Sequence, residues 1–477
     1  MKRWIAIAGL LWSVAAFSQN SYEIKVTFKP FKDQFIYLGH YFGKQYPIID
    51  SAKLDANSQA VFKGNKKLPG GIYLIGYPGK AGFFEILIDK QQHFSVIADT
   101  ATIKNGSQFV NSTDNTIFTS YQQAVAVWGK EIAISRKQLS EAKTKADSTV
   151  ITKRMIALDS QIKVYREDVI KKNPGTILSV LLNAMKEPVL PESLKNPKNR
   201  EDSLAAYRYY KNHYWDGVDF WDGRLAYTTF FEEKVDKYYS EVVMPHPDSV
   251  IKEIDYMMAY ASVNTEMTRL LLLKFVNRYL NQKFMWEDAV FVHIFEKYFS
   301  QKDYPWLTQQ GKKMITDRAY NLMANITGQP AAEVELPDST GIMRSLYQQP
   351  SPYTIVMFWD PTCGHCKELA PKLDSVYHAK WKTSGVGIYA IAKETEGTKT
   401  TWLKVIGDLG LKGWTHVYYS KAADKARIDS NIPGYSQLYD VQSFPTLYLL
   451  DKDKQIVAKK LTLEQIDEVL QIKIKGQ

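Results

Sequence analysis

Apolar and polar positions change their period along the 477 residues of this chain. From Tyr22 to about Ala101 they alternate: Tyr22, Ile24, Val26 and Phe28 point one way, Glu23, Lys25 and Thr27 the other. That period of two predicts a half-buried strand. Further strand-like runs at Phe35–Leu38, Ile72–Tyr77, Phe83–Ile88 and Phe94–Ala98 are separated by Gly, Pro, Asn and Asp clusters. Together they predict an N-terminal antiparallel β-sandwich over residues 19–112. From about Thr113 the period becomes helical. Met267, Leu270, Leu271, Phe275 and Tyr279 form one face of a helix capped by Asn264 or Thr265. Breakers at Pro174-Gly175, Pro188–Pro197, Pro245/Pro247 and Pro305 cut the stretch into about eight helices, which predicts a central all-α region over 113–327. A chain of this length exceeds one core, so residues 328–477 are expected to form a further domain.

The N-terminus reads Met1-Lys2-Arg3, an apolar stretch from Trp4 to Ala16, and Ala16-Phe17-Ser18 before Gln19. This pattern predicts a secretory leader over residues 1–18, too short to span a membrane. No cysteine follows it, which argues against lipid anchoring, and no later window is apolar enough for a transmembrane segment. The mature chain is therefore expected in an oxidising compartment, most simply a bacterial periplasm. The formal charge of +10 is spread among lysines interleaved with acids. Without a compact basic and aromatic motif it gives nucleic-acid binding little support.

The chemistry gathers at two residues. The only cysteines are three apart, in Cys363-Gly364-His365-Cys366. Before them, Thr354–Trp359 is an apolar run stopped by Asp360-Pro361; after them, Lys367–Leu373 reads as a helix. A C-x-x-C between a strand and a helix places its first sulfur at a helix N-terminus, where unsatisfied N–H groups favour the thiolate. Two other readings compete. A zinc site needs four ligands, but there is no second cysteine pair and no H-x-x-x-H run among the eight histidines. A purely structural disulfide closing so small a loop would stabilise little. The pair is expected to be redox-active, with no external cofactor and no metal.

The stretch from Phe358 to Lys367 resembles the thioredoxin superfamily, with the Cys-Gly-His-Cys centre of protein disulfide isomerases. A second mark, Val441-Gln442-Ser443-Phe444-Pro445-Thr446 followed by an apolar run, is similar to that family's cis-proline loop. The resemblance covers about Gly328 to Gln477, and Gly328-Gln329-Pro330-Ala331 with the long stretch between the motifs looks most like the extracytoplasmic TlpA/ResA type. It implies a thioredoxin fold, a mixed sheet with helices on both faces. Strands are expected near Thr354–Trp359, Val386–Ala392, Thr415–Tyr419, Thr446–Leu450 and Gln455–Lys459, and helices near Cys363–Lys380, Thr398–Leu409, Asp424–Tyr439 and Leu463–Lys473. It also implies roles: Cys363 as nucleophile, Cys366 as resolving cysteine, His365 and Pro445 as their catalytic neighbours, and Trp359 and Phe444 as substrate contacts. An imidazole at His365 that stabilised the thiolate would make the disulfide more oxidising, toward a mid-range potential.

The chain departs from the family at both positions that usually hold an acid near the second cysteine. Met357 stands six residues before Cys363, and Leu369 three after Cys366, with Glu368 one place early. On a helix that shift is a rotation of about 100°. The acceptor for the Cys366 proton is left open by the sequence.

Two other patterns have structural readings. Tyr214-Trp215-Asp216-Gly217 and Phe220-Trp221-Asp222-Gly223 repeat Trp-Asp-Gly. A ligand platform is one reading; an inter-helix loop with aromatic plugs and Asp/Gly turns is the favoured one. His293 and Glu296 read as a polar helix face rather than half a metal site. The expectation is an extracytoplasmic thiol–disulfide oxidoreductase acting on protein thiols or disulfides, with a membrane thiol–disulfide electron donor as the implied upstream partner. The competing expectation is a non-enzymatic envelope binding protein that uses the C-terminal module as a scaffold.

Overall fold

The computed structural model describes residues 21–103 and 106–475, so the expected leader lies outside the described residues. The chain divides into two compact units, residues 1–243 with 255–271, and residues 244–254 with 272–477.

The first unit begins with eight strands: β1 (Tyr22–Lys29), β2 (Phe35–His40), β3 (Ile48–Lys53), β4 (Gln59–Gly64), β5 (Gly71–Gly76), β6 (Phe83–Ile88), β7 (His93–Asp99) and β8 (Gln108–Val110). They form two four-stranded sheets, ordered β4-β1-β7-β8 and β3-β2-β5-β6. Ile24, Val26 and Phe28 of β1 meet Ile36, Leu38, Tyr73 and Ile75 in one core, so the alternation seen in the sequence is the inward face. The sandwich is not wholly antiparallel. β1 and β7 pair in parallel, with Ile24 opposite Phe94 and Val26 opposite Val96. Alternation reports which face is buried, not which neighbour a strand takes, and a distant strand can fill the place beside β1. Strand β3 escapes sequence reading because much of it is exposed.

Helices follow: α1 (Thr113–Glu141), α2 (Lys145–Lys172), α3 (Ile177–Ala184), α4 (Arg200–Asn212), α5 (Thr229–Lys237), α6 (Pro247–Ala261), α7 (Thr265–Leu280), α8 (Glu287–Ile294) and α9 (Gln309–Met323). In the first unit Ile72, Leu74 and Leu87 on the outer face of β5 and β6 pack against Phe118 of α1 and Leu178 and Leu182 of α3. Asn264 Oδ1 accepts the N–H groups of Glu266 and Met267 at 3.0 and 3.1 Å, the cap that opens α7. The Trp-Asp-Gly repeat is a turn-rich loop. Tyr214 is buried, Asp219 accepts the Trp221 N–H, and Asp222 caps the turn that follows while holding Arg224.

In the second unit the sheet comprises β11 (Tyr353–Trp359), β12 (Val386–Lys393), β13 (Thr415–Tyr419), β14 (Thr446–Leu450) and β15 (Ile456–Lys459), preceded by a small hairpin of β9 (Glu335–Pro337) and β10 (Met343–Ser345). Its order is β13-β12-β11-β14-β15; β11, β12 and β13 run parallel, while β14 and β15 are antiparallel additions. Every residue of β11 is buried, which explains its unbroken apolar run. Ile355, Met357 and Trp359 face one core with α10 (Gly364–Val376), α11 (Lys399–Leu409) and α14 (Leu463–Lys475). Val356 and Phe358 face a second core with Leu336, Tyr435 and Tyr439. The helix expected over Asp424–Tyr439 is broken into α12 (Lys421–Asp429) and α13 (Tyr435–Leu438). Asn431 adopts φ 56° and Pro433 follows, a combination that cannot continue a helix.

This unit begins well before residue 328. Lys459, at the end of β15, is 3% exposed; its ammonium pairs with Asp288 of α8 and donates to Asn325 O at 2.5 Å and Asn325 Oδ1 at 2.6 Å. Arg318 of α9 donates to Asp440 at 2.8 Å. Buried charges on β15 and before β14 thus find their partners on α8 and α9 within the same compact unit. Among the described residues no helix is long and apolar enough to cross a membrane.

Candidate active site

The end of β11 delivers the chain into the turn Asp360-Pro361-Thr362, and α10 starts one residue beyond Cys363. Asp360 shapes that turn. The residue is 7% exposed, and its carboxylate accepts the Thr362 N–H and Oγ1–H, both at 2.7 Å, and the Thr395 hydroxyl. Cys363 is the N-cap residue of α10, with extended backbone (φ −69°, ψ 129°) and a half-buried side chain. Its Sγ lies 3.7 Å from the carbonyl oxygen of Phe444. The Phe444–Pro445 peptide bond is cis.

Cys366 sits one turn into the helix and is fully buried, packed with Met357, Trp359 and Ala370. Both cysteines are free thiols. Burial pushes the Cys366 thiol up to about 12, and the nearby Cys363 and Asp360 add to the rise. The Asp360 backbone N–H, 3.5 Å from the sulfur, opposes it. The two sulfurs thus differ sharply in access, one at the mouth of the helix and one in the core. That asymmetry suits sequential thiol–disulfide exchange, in which one sulfur meets an outside partner and the second acts only on the first.

The sequence family described as Thioredoxin-like matches residues 352–456. This part of the chain is a thioredoxin-like domain. A domain of unknown function, DUF5106, matches residues 135–324. No curated protein matches the chain. Among solved structures, a thioredoxin-like protein from Bacteroides caccae is 22% identical, covering 60% of this chain and 98% of its own, with a TM-score of 0.44. A domain of a possible thiol-disulfide isomerase from Cytophaga hutchinsonii is 33% identical over 31% of this chain and 94% of its own, TM-score 0.27. The thioredoxin domain of a thiol-disulfide oxidoreductase from Bacteroides vulgatus is 25% identical over 31% and 97%, TM-score 0.27.

The thioredoxin-like domain brings Cys363, Cys366, Phe444 and Pro445 together and treats three other residues differently. Trp359, expected to touch substrate, is fully buried among the core side chains. It is the last residue of β11 and shares the inward face of Ile355 and Met357, so strand alternation directs its ring into the core. His365 stands in solvent, its side chain 86% exposed and its Nδ1 3.9 Å from the Glu368 carboxylate. Glu368 is likewise exposed, on the outer side of α10. Met357 and Leu369 place no acid beside Cys366. The acidic group that bears on its thiol is Asp360, which the sequence marked only as a strand stop. Its signal was a carboxylate kept between a buried strand and the first cysteine. Among the described residues no cluster of three or more His, Cys, Asp or Glu side chains is arranged to hold a metal ion.

Proposed function

We propose that the protein is an extracytoplasmic thiol–disulfide oxidoreductase of the TlpA/ResA type that exchanges disulfides with protein substrates through Cys363 and Cys366. The observation that carries this reading is the unequal placement of the two thiols, Cys363 reachable at the start of α10 and Cys366 buried and hard to ionise. In the reducing direction the Cys363 thiolate attacks one sulfur of a client disulfide, forming a mixed disulfide and expelling a client thiolate. Cys366 then loses its proton and attacks the Cys363 sulfur. The second client thiol leaves, and a Cys363–Cys366 disulfide remains. Two electrons have passed to the client; an external dithiol, such as a membrane electron donor, returns them by the same exchange. The reverse sequence oxidises a client dithiol.

Phe444 and Pro445 form the wall beside the nucleophile, and the Phe444 carbonyl near Cys363 provides an acceptor for an extended client backbone, as in strand addition. The leader-like N-terminus and the lack of other cysteines support an oxidising location such as the periplasm. The test is trapping. Cys366→Ser is expected to accumulate mixed disulfides with client proteins, because attack persists and resolution is lost. Cys363→Ser is expected to trap few and to lose insulin-reductase activity. Equal trapping by the two variants would overturn the assignment.

A further inference from the structure

Within the second unit a cavity of about 880 Å³ opens between the segment from α7 to α9 and the loops flanking β14 and β15. Its size falls in the range of ligand-binding clefts, about 300–1,000 Å³. Phe284, Met285 and Met314 line one side, and Gln442 and Leu461 the other. Gln442 is two residues before Phe444, whose carbonyl lies 3.7 Å from the Cys363 sulfur. Two residues of chain span at most about 7 Å. Met285, Leu461, Phe444 and Cys363 all pack against the same core. The cleft therefore lies next to the redox centre, and part of its wall comes from the helical segment that precedes the thioredoxin-like domain.

Its chemistry is specific. Phe284 is 59% and Met314 48% exposed, so two large apolar side chains face open space at one wall. The lining carries the cations Lys283, Lys313, Arg318, Lys459 and Lys460. Lys313 pairs with Asp317, and Lys459 with Asp288. Arg318 and Lys460 share a single carboxylate, Asp440, whose side chain is 2% exposed. That sharing leaves one positive charge in surplus; the ammonium of exposed Lys283 reaches solvent, while the buried Glu287 carboxylate accepts the backbone N–H groups of Lys283 and Phe284 at 2.6 and 3.2 Å. A partner that fits this wall is apolar and anionic at once.

We infer that this cleft is a client-docking site, which takes a segment of the substrate polypeptide carrying a large apolar side chain and Asp or Glu residues near its reacting cysteine. The inference rests on the oxidoreductase reading above and adds the class of client sequence. It also gives the end of the helical region a task, selecting which cysteines reach Cys363. Exposed Lys283 and Phe284 are its most direct contacts, since neither is needed to hold the core.

The experiment uses the full chain and two peptide disulfides that differ only in their flanks, Leu with Asp and Glu in one and Leu with Lys in the other. Wild type is expected to show a KM about five times lower for the acidic peptide. Lys283→Glu is expected to erase that preference, and Lys283→Arg to keep it, because an exposed charge reversal of this kind changes affinity by about fivefold. Phe284→Ser is expected to raise KM for both peptides. A labelled acidic peptide with Ser in place of Cys separates docking from chemistry by fluorescence anisotropy. Binding that Lys283→Glu weakens supports the cleft even if no peptide disulfide is reduced, in which case the redox reading fails alone. Reduction of both peptides with equal KM, together with no binding of the cysteine-free peptide, overturns the cleft and leaves the redox reading intact. Retention of the acidic preference in Lys283→Glu also overturns it.

Discussion

Replacing Lys459 by Met tests whether α8 and β15 form one cooperative unit. Lys459 is buried against Asp288 and Asn325, and its pKa is lowered by burial, with Asp288 acting in the other direction. Asp288 mirrors it: burial raises its pKa, and Lys459 opposes the rise. Both partners resist charging in this site, so neither tolerates losing the other. In Lys459→Met the cheapest response is for Asp288 to take up a proton. Its ordinary pKa is 3.8. Holding it neutral at pH 7 costs at most about 4 kcal/mol, at about 1.36 kcal/mol per pH unit. That ceiling agrees with the roughly 3–5 kcal/mol seen when one member of a buried pair is removed. The sign follows from proton uptake. Above pH 3.8 the unfolded variant has released the Asp288 proton while the folded variant retains it, so its stability falls as pH rises. At pH 5.5 the ceiling is about 2.3 kcal/mol. The readout comes from the chain itself, because Cys366 is fully buried and lies in this unit alone. In a Cys363→Ser background, trapping of Cys366 by a methanethiosulfonate reagent across a urea series reports opening of the second unit without interference from the first. The expected loss is about 3–4 kcal/mol at pH 7 and clearly less at pH 5.5. A loss below about 1 kcal/mol, or one equal at the two pH values, would refute the reasoning.

Two further outcomes follow from the site. Asp360→Asn removes a negative charge that raises the Cys366 thiol but leaves the backbone N–H that bonds its sulfur, so Cys366 is expected to titrate below the present value of about 12; thiolate absorbance in a Cys363→Ser background checks it, and an unchanged or higher value refutes it. Trp359→Ala empties a fully buried site and is expected to cost about 3–5 kcal/mol of stability, measured by urea unfolding, while KM for peptide disulfides stays within about twofold; a change in KM without loss of stability would place that ring at the substrate after all.

Local rules carried the sequence reading a long way. The apolar run Thr354–Trp359, the Asp360-Pro361 stop and the cysteine spacing sufficed to locate a strand, a turn and a helix start, because each depends on residues within a few positions of one another. The same rules located β1, β5 and β6 and the Asn264 cap. They could not say that β1 takes β7 as a parallel neighbour, since a period of two is satisfied by any partner in either direction. Nor could they show that Trp359, written beside the active cysteines, turns inward, because side-chain direction depends on the register of a strand buried on both faces.

What the sequence determined by itself is the chemistry: a lone pair of cysteines at a strand-to-helix junction, with a second Pro-containing loop far along the chain. What tertiary structure decided is the environment of that chemistry. Cys366 is hard to ionise because helix and sheet close over it, and Asp360 bears on it because the turn folds back. Asp288, Arg318 and Asn325 belong to the same unit as Lys459 and Asp440 although more than 100 residues separate them. Burial and long-range charge pairing are properties of the packed chain, and no window of sequence contains them.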